Sequence, residues 1–139
     1  MINMTPAEII KPPLFGTAAD ACRMFFDYGN EQLISRKFPI DIEFVGDSIT
    51  HMWEVQSYFG HLGHIVNRGI SGDVAEIMAK RLEADVVQLN PRICVILIGI
   101  NNIHAEGAQF DTVKEVIMTS YRQILERLCQ IDTIPVVCS

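Results

Sequence analysis

The sequence predicts an α/β fold, a doubly wound sandwich with a central parallel sheet and helices on both faces. Three features point there. Strand-like apolar runs alternate four times with segments of helical period. The run Ile93–Ile98 is almost unbroken in its apolar character, which suits a strand covered on both faces of a parallel sheet. The first two runs also end in glycine turns, at Gly46 and Gly69.

From Thr17 to about Arg36, the apolar residues Ala21, Met24, Phe25 and Leu33 mark a helix, bent or broken near Gly29–Asn30 and ended by Pro39. Ile40–Val45 is a strand that stops at the tight turn Gly46-Asp47-Ser48, and Ile49–Phe59 reads as the helix after it. Ile65–Asn67 is a second short strand, running into the turn Arg68–Asp73. Asp73 is placed to N-cap a helix whose apolar positions are Val74, Ile77, Met78, Leu82 and Val86. Pro91 separates that helix from the strand Ile93–Ile98. The last helix is the clearest element. Thr112 and Glu115 fit a capping box, and Val113, Val116, Ile117, Tyr121, Ile124, Leu125 and Leu128 share one face. Ile131–Cys138 supplies the fourth strand.

Hydrophobic residues make up 49% of the 139 and charged residues 20%, a globular composition for one domain spanning 1–139, with 1–39 as a helical lead-in. The net charge of −6 and the absence of Lys/Arg clusters argue against a nucleic-acid surface. The start MINMTPAEIIKPP lacks the basic and apolar blocks of a secretory signal, and no run reaches the roughly 20 apolar residues of a membrane span. Cys22, Cys94, Cys129 and Cys138 form no CxxC pair and read as reduced, buried thiols of a cytoplasmic protein. His51, His61, His64 and His104 show no metal-ligand spacing, so neither a metal nor a cofactor is expected.

Right-handed crossovers place every strand's C-terminal end on one sheet edge, where ligands bind in such folds. Three loops meet that edge. In Phe44-Val45-Gly46-Asp47-Ser48-Ile49-Thr50, Ser48 falls where a helix begins; alone it reads more readily as a helix N-cap than as a nucleophile. In Asn67-Arg68-Gly69-Ile70-Ser71-Gly72-Asp73, Gly69 offers an N–H with no side chain to block an approaching oxygen. Alone, this loop is equally an ordinary strand-to-helix turn. In Ile98-Gly99-Ile100-Asn101-Asn102-Ile103, the amide of Asn101 is placed either to donate into the same pocket or to close an Asx turn. Together they supply a hydroxyl and amide donors after successive strands, the parts of a nucleophile with an oxyanion hole.

This order and spacing resemble the GDSL or SGNH hydrolase family, and within it the acyl esterases similar to platelet-activating-factor acetylhydrolase α-subunits. The blocks "FVGDSITHMW", "NRGISGD" and "LIGINN" carry the resemblance, which covers about Ile40 to Ser139. It implies a flavodoxin-like three-layer α/β/α sandwich of strand order 2-1-3-4-5, here lacking the last strand and helix. It implies a serine ester hydrolase acting on short-chain acyl or acetyl esters through an acyl-Ser48 intermediate. The N–H groups of Ser48 and Gly69 and the amide of Asn101 would bind the oxyanion. Asp47 would shape its loop, with Asn102 and His104 as possible lining residues.

Two departures follow. The family's third block usually reads Gly-x-Asn-Asp, whereas Asn102 follows Asn101 here. The catalytic Asp and His of a D-x-x-H block are absent before Ser139, so the chain is expected to be catalytically impaired. His51 and His104 lack an evident acidic partner that would make either a base. Loss of a fifth strand would leave 134–138 as an exposed apolar edge, through which copies could associate. The alternative is a non-catalytic flavodoxin-like module binding anions or a partner at the helix N-termini after Gly46–Ser48 and Gly69–Asp73.

Overall fold

The computed structural model describes residues 8–17, 19–105 and 107–139. The reading of the N-terminus as free of a secretory signal rests partly on Met1–Ala7, outside the described residues. The chain runs through α1 (Ala19–Ser35), β1 (Ile42–Gly46), α2 (Ser48–His51), α3 (Val55–Phe59) and β2 (Ile65–Gly69). It continues through α4 (Ala75–Asp85), β3 (Ile93–Leu97), α5 (Ile100–Ile103), α6 (Phe110–Gln130) and β4 (Ile134–Val137). The strands form one sheet of order β2-β1-β3-β4, and every pair is parallel. This is the doubly wound arrangement that the sequence predicts.

Side chains alternate across each strand, so neighbouring residues serve different layers. Val45, Cys94 and Ile96 point to one face and pack with Ala75, Met78, Leu82 and Val86 on the α4 side and with Ile124 and Leu128 of α6. On the other face Phe44 meets Trp53 and Phe59, with ring centroids 5.4 and 5.1 Å away. The two-sided burial expected of the Ile93–Ile98 run is met on one face only: Cys94 and Ile96 are buried, while Ile93, Val95 and Leu97 are half-buried. On that second face α2 and α3 lie against β1 and β2.

Several local expectations change. α1 is continuous through Gly29–Asn30, because buried Asn30 donates from Nδ2 to the Ala84 carbonyl at 2.9 Å and accepts from Arg68 at 2.6 Å. Of its expected apolar positions only Leu33 packs inward; Ala21, Met24 and Phe25 face solvent, whereas Arg23 and Asn30 are buried. The helix stops at Ser35, before Pro39. Lys37 takes a left-handed φ of 51°, and Phe38 N–H and Lys37 N–H close back on the Leu33 and Ile34 carbonyls.

The expected helix Ile49–Phe59 is two short ones. Asn67 Nδ2 captures the Thr50 carbonyl at 2.7 Å, and Trp53 turns inward onto Phe44. The expected capping box is not made either: α6 starts at Phe110 after Gln109, which leaves Thr112 exposed inside the first turn. Asp73 does not cap α4, since its carboxylate turns into the core to Arg81 and Val74 takes the cap position.

β4 is an edge strand, with Ile134 58% and Val137 49% exposed. Ile134 and Cys138 donate their N–H groups inward to Arg92 and Ile96, so Pro135, paired in register with Cys94, faces outward and gives the free edge no donor. All four cysteines are free. Cys94 is buried, and burial pushes its thiol well above the usual range. Cys129 is exposed, contrary to the expectation of buried thiols, because it lies on the solvent side of α6. No described helix is long and apolar enough to cross a membrane.

Candidate active site

Parallel register sets Gly46 beside Gly69 on one side and Leu97 on the other, so the three loops leave the sheet at one edge. Backbone contact then requires glycine twice. A Cβ on Gly46 would stand 2.1 Å from the Leu97 carbonyl oxygen, and one on Gly69 would stand 2.3 Å from the His51 nitrogen. Ile70 N–H donates to the Gly46 carbonyl at 2.9 Å and links the first two loops directly.

In the first loop, Asp47 is buried and caps α2, its Oδ1 accepting from the Ile49 N–H at 2.9 Å. Ser48 is therefore the first residue of the helix and not its cap. Its side chain is half-buried, and among the described residues its hydroxyl has no hydrogen-bond partner. Its own N–H, at the start of the helix, has no intrahelical partner.

In the second loop, the Gly69 N–H donates to Asn67 Oδ1 at 2.8 Å, while Asn67 Nδ2 reaches the Thr50 carbonyl. Asn67 thus clips the Gly69 turn to α2. His51 Nδ1 accepts from the Ser71 N–H at 3.2 Å and lies 2.9 Å from the Ser71 hydroxyl. An N–H donor aimed at Nδ1 makes that nitrogen the acceptor and puts the ring proton on Nε2.

In the third loop, half-buried Asn101 donates from Nδ2 to the Asp73 carbonyl at 2.8 Å. Buried Asn102 accepts at Oδ1 from the Ala75 N–H at 3.0 Å and donates from Nδ2 to Glu76 at 2.7 Å. Tyr121 of α6 donates its hydroxyl to the Ile98 carbonyl at 3.0 Å and holds the end of β3. His104 sits exposed at the end of α5, and His61 and His64 are exposed away from these loops. Among the described residues no histidine forms an ion pair with a carboxylate.

The anchor beneath the loops is Arg81, which the sequence reading did not single out. Its guanidinium is fully buried, lies 2.8 Å from Asp73 Oδ2 and 3.0 Å from Asp85 Oδ2, and donates to the Gly46 carbonyl at 3.3 Å. Asp85 also meets Arg23 of α1 at 3.0 Å. Burial raises the Asp73 and Asp85 carboxyls above their usual range, against the lowering pull of Arg81. Glu43, buried in β1, is pushed up to about 8 by burial, partly opposed by Arg68. An arginine at the eighth position after Asp73, on the helix face that also carries Met78 and Leu82, was the available signal for such an anchor.

At both helix N-termini on which the anion-binding alternative depends, one N–H is already taken from within the chain. Asp47 takes the Ile49 N–H at α2, and the Asn102 oxygen takes the Ala75 N–H at α4.

Residues 44–138 match the model of the GDSL-like lipase/acylhydrolase family. A search of curated proteins gave no match. Among solved structures, a candidate acylhydrolase from Bacteroides fragilis is similar at 21% identity and TM-score 0.64, over 87% of this chain and 57% of that one. A candidate platelet activating factor from Streptococcus pneumonia is similar at 22% identity and TM-score 0.64, over 87% of this chain and 60% of that one. An acetylxylan esterase from Geobacillus stearothermophilus gives 22% identity and TM-score 0.56, over 70% of this chain and 58% of that one. The chain thus spans less than two thirds of the length of these structures, and at such identity they establish the fold. By its family-model match across all three loops, the chain belongs to the GDSL-like lipase/acylhydrolase family.

Proposed function

We propose that the chain carries the nucleophile half of a serine ester hydrolase, with Ser48 attacking short-chain acyl or acetyl esters. One observation carries this reading most: Asp47 takes over the capping of α2, which leaves the Ser48 hydroxyl without a partner beside two interlocked amide-bearing loops. The acetylxylan esterase among the similar structures supports an acetyl group as acyl donor.

In the step proposed, Ser48 Oγ bonds to the ester carbonyl carbon and gives its proton to solvent water, and the carbonyl oxygen becomes anionic. Collapse expels the alcohol, which takes a proton, and leaves acyl-Ser48; water then releases the acid. The Ser48 N–H, the Gly69 N–H and the second hydrogen of the Asn101 amide are assigned to the oxyanion. The Gly69 N–H would be shared with Asn67 Oδ1 as a three-centre bond. Losing one such donor typically costs about 10²–10³ in rate. Asp47 is assigned to holding this loop, buried Asn102 to holding the third loop, and His104 to the rim of the site.

The described histidines do not supply an oriented base. His51 is committed to Ser71 through the nitrogen that would accept a proton, so turnover by these residues alone is slow. Hydrolysis of p-nitrophenyl acetate, together with labelling by a fluorophosphonate, tests the assignment. Ser48→Ala should abolish labelling and the slow hydrolysis; equal activity in both proteins would remove Ser48 from the mechanism.

The four free thiols, one of them exposed, support a cytoplasmic location. The exposed β4 supports self-association through residues 134–138, with Val137 providing the outward N–H that Pro135 lacks.

A further inference from the structure

α4 begins without a local cap. Val74 has no side-chain oxygen, and Asp73 is committed to Arg81. The orphan Ala75 N–H is instead satisfied across the fold by Asn102 Oδ1 at 3.0 Å. The other end of the same amide donates to Glu76 Oε2 at 2.7 Å. The orientation of this amide is dictated at both ends, since an N–H can only donate and a carboxylate only accept. The neighbouring Asn101 amide closes on the Asp73 carbonyl at 2.8 Å, so consecutive asparagines fasten the third loop to the start of α4.

We infer that Asn102 and Glu76 are a matched positioning pair, which holds the Asn101 turn against α4 and accepts an amide but not a carboxylate at position 102. This rests on the proposed role of Asn101, although the pairing itself does not. An aspartate at 102 would still receive the Ala75 N–H but would set a second carboxylate against Glu76, and two such groups at hydrogen-bond distance cannot both ionise cheaply. Among the described residues, Lys80 of α4 and Glu115 of α6 are further charged groups that line the same groove as Glu76. Asp73 is already paired with Arg81.

The test is thermal melting from pH 4 to 8 of the wild type, Asn102→Asp, Glu76→Gln and the double variant. Asn102→Asp should melt near the wild type at pH 4, where the two carboxyls share a proton, and about 4 °C or more below it at pH 8. A carboxyl whose folded pKa is raised contributes stability that is lost as pH rises, which sets this sign. The double variant should recover, because the amide introduced at position 76 can donate to the carboxylate introduced at position 102. Glu76→Gln alone should stay near the wild type. An Asn102→Asp curve parallel to the wild type, or no recovery in the double variant, would overturn the pairing. If Asn102→Asp does not fold at pH 8, a folded double variant supports the pairing and an unfolded one refutes it. Esterase rates are read separately. In an active protein kcat should fall about tenfold or more in Asn102→Asp with KM little changed, and return in the double variant. Absence of Ser48-dependent hydrolysis in the wild type would remove the esterase reading while leaving the melting result to decide the pair.

Discussion

Arg81 Nη2 donates to the carbonyl oxygen of Gly46 at 3.3 Å, so a side chain from the middle of α4 holds the last residue of β1, two positions before Ser48. The same guanidinium pairs with Asp73 and, together with Arg23, with Asp85, and Asp73 in turn receives Asn101 at its carbonyl. One buried cation therefore reaches all three loops.

Arg81→Met should lower stability by about 3–5 kcal/mol, because buried Asp73 loses its cationic partner and buried Asp85 keeps only Arg23. Urea denaturation measures this. The half-exposed pair Arg127–Glu83 is the control, and Glu83→Gln should leave the urea midpoint almost unchanged.

Asp47→Ala should cost about 0.5–2 kcal/mol through loss of the α2 cap. Asp47→Asn keeps an oxygen facing the Ile49 N–H and should cost much less. A denaturation midpoint for Asp47→Asn as low as that of Asp47→Ala would mean that charge, and not the cap, matters there.

Gly69→Ala and Gly46→Ala should each destabilise by about 1–3 kcal/mol or more, since the added methyl meets backbone atoms and not the end of a flexible side chain. Circular dichroism melts would show it. A Gly69→Ala protein as stable as the wild type would contradict the close approach of β2 to α2.

Glu43 gives the fold a pH dependence of stated sign. Its carboxyl rises from an ordinary value of 4.5 to about 8 on burial. The folded state therefore holds a proton that the unfolded state releases, and stability from this group, full below 4.5, declines up to about pH 8, with a slope of at most about 1.4 kcal/mol per pH unit. Glu43→Gln should flatten that decline in urea titrations at pH 5, 6, 7 and 8.

Self-association through β4 should appear in sedimentation as a concentration-dependent increase in mass. Val136→Lys, which places a charge on the open face beside Val95, should suppress it. Unchanged association in that variant would point to another surface.

Much of the architecture is legible in the sequence. The burial periodicity of α6, the glycine turns after β1 and β2, and the parallel order all follow from short contiguous stretches. So did the grouping of Ser48, Gly69 and Asn101 at one sheet edge, because βα topology alone sends those loops there. The reading failed where a polar partner overruled an apolar pattern. In α1 the pattern of Met24 and Phe25 suggested a packed face, yet Arg23 and Asn30 face inward because Asp85, Ala84 and Arg68 wait for them. Asp73 and Thr112 fitted local caps but lost those roles, one to a buried ion pair and the other to an earlier helix start.

By itself, the sequence determined the order of the main strands and helices and which loops share an edge, since these depend on periodicity and on residues a few positions apart. Tertiary structure alone decided how the loops are locked: Asn67 to Thr50, Asn102 to Ala75 and Glu76, Arg81 to Gly46, and His51 to Ser71. A buried donor or acceptor has to find a partner wherever the folded chain brings one within about 3 Å, and that choice is made by packing across the sheet edge, not by neighbours along the chain.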